Sequence, residues 1–181
     1  MKTFFIFLSV IALSFSAQAQ YKKAVLQASG LTCAMCSRAT LKALETLPFV
    51  DKIDTDLNAT SFILHFKPNT AVNIDAIGKK VEDAGFFVAK LVMTADFDKL
   101  KVTNDAHVNY AGQTLHFVNV KDQVLQGEKD ITIVDKAFVS AKQYKKYSEQ
   151  VKMACYKTGT MADCCKPSGS AASKRVIHVT I

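Results

Sequence analysis

Between residues 21 and 92 the apolar residues alternate between the two-residue period of a strand and the three-to-four-residue spacing of a helix, an order that admits few folds. Ala24 to Ala28 reads as a strand. Arg38 to Leu47 sets Leu41, Leu44 and Leu47 along one helical face, and Pro48 ends it. Val50 to Leu57 is a strand with Ile53, Thr55 and Leu57 on one side, and Asn58-Ala59-Thr60 turns the chain. Ser61 to Phe66 returns with Phe62, Leu64 and Phe66 inward and Ile63 and His65 outward. Pro68-Asn69 breaks this strand, and Asn73 to Ala84 then reads as a helix with Ile74, Ile77 and Val81 on one stripe. Gly85 stands where such a helix stops, and Phe87 to Met93 is the last strand.

The order βαββαβ predicts a four-stranded antiparallel sheet with two helices on one face, an α+β unit of ferredoxin-like architecture. Two thiols, Cys33 and Cys36, fall between its first strand and first helix. A helix N-terminus has unpaired N–H groups and the positive end of the dipole, so it favours thiolate over thiol. Two thiolates at that spacing suit a soft ion such as Cu(I) or Hg(II). They also suit a disulfide or thiol–disulfide exchange. The chain has no Trp, and Pro48 and Pro68 do not sit where a strand-leading cis-proline would face the thiols, which weighs against exchange.

The stretch Gly30-Leu31-Thr32-Cys33-Ala34-Met35-Cys36 completes the pattern. With the element order and the helix ending Val81-Glu82-Asp83-Ala84-Gly85-Phe86, it makes residues 22–92 resemble the heavy-metal-associated domain. That family includes copper chaperones, N-terminal modules of metal-transporting ATPases and periplasmic mercury-binding proteins. Its signature, Gly-Met-Thr-Cys-x-x-Cys, differs here only by Leu31, close to Met in volume. The resemblance implies one soft ion between Cys33 and Cys36, Cu(I) favoured over Hg(II), Zn(II) or Cd(II), for transfer or sequestration. It implies a metal-transporting ATPase or another metal-accepting protein as partner, and no enzymatic activity. It places Met35 towards solvent and Phe86 beside the thiol loop. The alternatives are a thiol–disulfide oxidoreductase and an interaction protein in which the metal module has lost its role.

Residues 96–181 read as a second, β-rich domain that resembles no family. Ala95 to Lys99 reads as a polar seam between the two domains. Short apolar runs at Val108–Tyr110, Leu115–Val120, Gln123–Leu125 and Ile131–Val134 are punctuated by Ala111-Gly112, Lys121-Asp122 and Gly127-Glu128, giving a meander or small OB-like barrel. Ala141 to Ala154 has helical spacing, Cys155 to Lys174 reads as a loop, and Val176 to Ile181 as a closing strand. Cys155, Cys164 and Cys165, with Met153 and Met161 nearby, form either a second soft-metal site or a disulfide with one thiol left over. His65, His107, His116 and His178 show no ligand spacing, and those in strand patterns read as surface or satisfied residues.

Met1-Lys2, the apolar run Phe4–Phe15 and Ala17-Gln18-Ala19 have the pattern of a secretory signal cleaved after Ala19. Residues 20–95 and 96–181 then form the exported protein, in the periplasm if the source is a Gram-negative bacterium. An oxidising compartment makes an odd cysteine count, five, informative, because one thiol has no partner within the chain. The net charge of +7 comes from lysines scattered among acids, with no arginine-rich arm. That distribution argues against nucleic acid and is compatible with transient contact with an anionic membrane surface.

Overall fold

The computed structural model describes residues 20–56, 59–161 and 174–181. Eight strands form one open sheet in the order β2-β3-β1-β4-β7-β8-β6-β5. Its first half has the expected βαββαβ order: β1 (Tyr21–Ser29), α1 (Ala34–Glu45), β2 (Val50–Asp56), β3 (Ser61–Phe66), α2 (Ile74–Asp83) and β4 (Phe87–Val102). The apolar stripes face inward as the spacing predicts. Phe62, Leu64 and Phe66 are buried on β3, and Ile74, Ile77 and Val81 on α2. Asn73 caps α2 by accepting the Ala76 N–H at 3.0 Å. Leu57 and Asn58 lie outside the described residues.

The expected seam at Ala95–Lys99 is instead the middle of β4. Ala95 and Phe97 are buried while Asp96 and Asp98 are exposed, which is strand alternation. A bulge between Phe97 and Leu100 absorbs the remaining polar residues. β4 therefore runs through residue 95, pairing with β1 on one side and with β7 (Gln123–Ile133) on the other. In a four-stranded sheet of this order β4 would be an edge, and β7 covers it.

The second half corrects two expectations. Gly127-Glu128 is no turn: Gly127 pairs with Phe97 within β7. The strands also form no closed barrel. β5 (His107–Tyr110) and β6 (Gln113–Phe117) make a hairpin over Ala111-Gly112, both at positive φ, as two-residue hairpin turns require. β8 (Val176–Thr180) then inserts between β6, to which it is parallel, and β7, to which it is antiparallel. The closing strand is buried on both faces, which explains why its alternation reads ambiguously. A short 3-10 helix (Lys136–Phe138), α3 (Ala141–Gln150) and α4 (Ala154–Thr158) complete the described fold. One apolar core joins both halves: Leu26, Leu44, Ile77 and Leu91 belong to the same cluster as Leu115, Phe117, Ile133 and Val179.

Candidate metal centre

The thiol pair sits where β1 hands the chain to α1. Gly30 takes φ +90°, a conformation that a side chain would strain, and its α-carbon faces Phe86, whose ring lies 3.5 Å from where a β-carbon would be. Leu31 packs against the core below the loop, as Met-sized volume at this position predicts. Phe86 packs against the same core while standing beside the loop. Met35 is 71% exposed.

Cys33 is itself the N-cap of α1: its backbone is extended, and its Sγ accepts the Cys36 N–H at 3.4 Å. Neither Thr32 nor Ser37 performs the capping. The two sulfurs are 2.8 Å apart, at the exposed end of the helix. The Cys36 thiol beside it, and then the Cys36 and Met35 N–H groups, hold the Cys33 thiol below its ordinary pKa. Negative charge is thus favoured on Cys33 relative to an ordinary thiol. An ion bonded to both sulfurs at about 2.3 Å needs them roughly 3.8–4.6 Å apart. Loading this site therefore requires the sulfurs to part, which the exposed Cys33 side chain permits by rotation.

Two neighbouring thiols on the loop between the first strand and first helix of a ferredoxin-like unit have the donor chemistry that soft metal ions take. Residues 25–87 match the heavy-metal-associated domain, and this part of the chain belongs to that family. A yeast copper transporter domain, Ccc2a, solved in apo and Cu(I)-loaded states, is 28% identical over 36% of this chain and 88% of its own, with a TM-score of 0.33. A copper-binding domain from HMA7, a P-type ATPase, is 34% identical over 36% of this chain and 86% of its own, with a TM-score of 0.33. The N-terminal domain of ZntA in the apo form is 16% identical over 38% of this chain and 90% of its own, also at 0.33. No curated protein matches the chain.

The C-terminal sulfurs part company in what can be said of them. Cys164 and Cys165 lie outside the described residues, so neither their pairing nor a site made with them is described. Cys155 is placed in α4, not in a loop, and is fully buried. Around it stand histidines that the linear sequence scatters. His107 is on β5, His116 on β6 and His178 on β8, three neighbouring strands in register. His116 and His178 are fully buried, so of the surface and satisfied readings the surface one does not hold for them; Tyr156 of α4 stands edge-on to His178 at 4.9 Å. His65 stays near the surface, beside Asp54 at 2.9 Å.

Proposed function

We propose that the chain binds one soft ion, Cu(I) by preference, between Cys33 and Cys36 and passes it to a thiol-bearing acceptor protein. The observation that carries this reading is the position of Cys33: an exposed N-cap sulfur, thiolate-favoured, within reach of a second thiol. Two sulfur ligands leave a soft ion coordinatively open, so an acceptor thiolate can add before Cys33 or Cys36 leaves. The ion keeps its oxidation state and each departing sulfur is replaced by an entering one. A metal-transporting ATPase fits as acceptor. Met35, exposed beside the pair, offers an adaptable apolar contact for that docking.

The signal-like residues 1–19 support export, and an oxidising compartment would then demand that the pair be kept reduced. The reading is one of binding and exchange, not catalysis. Titration of the reduced protein with Cu(I), Hg(II) and Zn(II), alongside C33S/C36S, tests it. The expected difference is one equivalent of Cu(I). Equal binding by the two proteins contradicts the reading. Reduction of insulin disulfides by the metal-free protein assigns the pair to thiol–disulfide exchange instead.

A further inference from the structure

Two histidines of the row across β5, β6 and β8 meet at one sulfur. Cys155 Sγ lies 3.7 Å from His107 Nε2 and 3.6 Å from His116 Nδ1, and the three atoms all lie within 4.8 Å of one another. An ion about 2.0–2.1 Å from nitrogen and about 2.3 Å from sulfur, in trigonal or tetrahedral geometry, sets N···S distances of roughly 3.5–3.8 Å. The two N···S distances already stand at metal-binding spacing, which the sulfurs of Cys33 and Cys36 do not. Hydrogen bonding gives a poorer account of the same geometry: a thiol is a weak donor with one proton for two imidazole nitrogens.

We propose that His107, His116 and Cys155 form a second metal centre that binds one late first-row transition ion, Zn(II) or copper. The surroundings fit that role. Asp105 Oδ1 is 3.3 Å from His116 Nε2, off hydrogen-bond alignment, at the ring nitrogen that does not meet Cys155. A carboxylate there favours the tautomer whose Nδ1 lone pair points at the ion. The two candidate imidazoles stack with centroids 4.1 Å apart and planes 15° from parallel, so one ring tilts out of this stack when both lone pairs meet one ion. His178 stands edge-on to His116 at 5.0 Å, and its Nδ1 is held by Asp135 Oδ1 at 2.5 Å. Its Nε2 is buried with no hydrogen-bond partner among the described residues, a second unsatisfied polar atom in the same nest. His107 is half-buried and gives the ion a route from solvent.

The donor set determines the chemistry. Two imidazoles and a thiolate suit the borderline ions zinc and copper, whereas two exposed thiolates alone suit softer ones. The centre is independent of Cys33 and Cys36, so the test uses the reduced full chain carrying C33S/C36S, with Co(II) as probe. One equivalent should bind with an intense thiolate-to-cobalt charge-transfer band. Adding His107→Ala should weaken binding at least tenfold while circular dichroism stays unchanged, since this ring is not fully buried. Adding Cys155→Ser should abolish the band. Absence of the band in C33S/C36S overturns the proposal. So does equal affinity with and without His107, which would place the ion on sulfurs alone.

Discussion

Cys33 and Cys36 have the same side chain but different physical situations. Cys33 accepts helix N–H groups and its neighbour's thiol, so its thiolate is the favoured one. Iodoacetamide should therefore modify Cys33 with a rate that rises through a midpoint below that of an ordinary cysteine, as peptide mass mapping across pH would show. A midpoint at or above the usual thiol range would remove the reason for calling Cys33 the entry ligand. Both thiols, Gly30 and Phe86 were legible in the sequence because loop and ligands are contiguous there. The histidine–cysteine nest was not, because its members are 9 to 48 positions apart and meet only through sheet register. One signal was available. His107 and His116 are equidistant from Ala111-Gly112, and a two-residue hairpin at that turn makes them cross-strand partners.

At the scale of elements, α2 shows how closely the two halves of the chain meet. Gly78 lies within this helix, where glycine costs about 1 kcal/mol relative to alanine. A β-carbon there would lie 3.0 Å from two ring atoms of Phe138, in the 3-10 helix. The missing side chain makes room for that ring. Gly78→Leu should lower stability by about 1–3 kcal/mol through overpacking, measured by urea unfolding; unchanged stability would mean that the contact is loose. Ile77→Ala, on the buried stripe of the same helix, should cost about 2–5 kcal/mol. The sequence revealed α2 well because one face is buried and the pattern is unambiguous. It misled at Ala95–Lys99 and at Gly127, where bulges carry polar residues and glycine through continuous strands. Length and charge at those points resemble a linker; only pairing with another strand distinguishes them.

Across the whole molecule, β4 is a shared spine and the larger of two apolar clusters spans both halves. Arg175 adds a polar tie, donating to Asp75 on α2 at 2.9 and 2.8 Å and to Asp135 at 2.8 Å. Metal-free protein should consequently unfold in a single calorimetric transition, with equal calorimetric and van't Hoff enthalpies; two resolved transitions would show that the halves fold separately. The central claim is that Cys33 and Cys36 hold the soft ion. Its most direct test follows backbone amide NMR resonances of the reduced protein as Cu(I) is added. The account predicts that Gly30 to Ser37 and Phe86 shift and saturate together, and that C33S/C36S abolishes those shifts. Saturable Cu(I) binding that leaves these amides unmoved would contradict it.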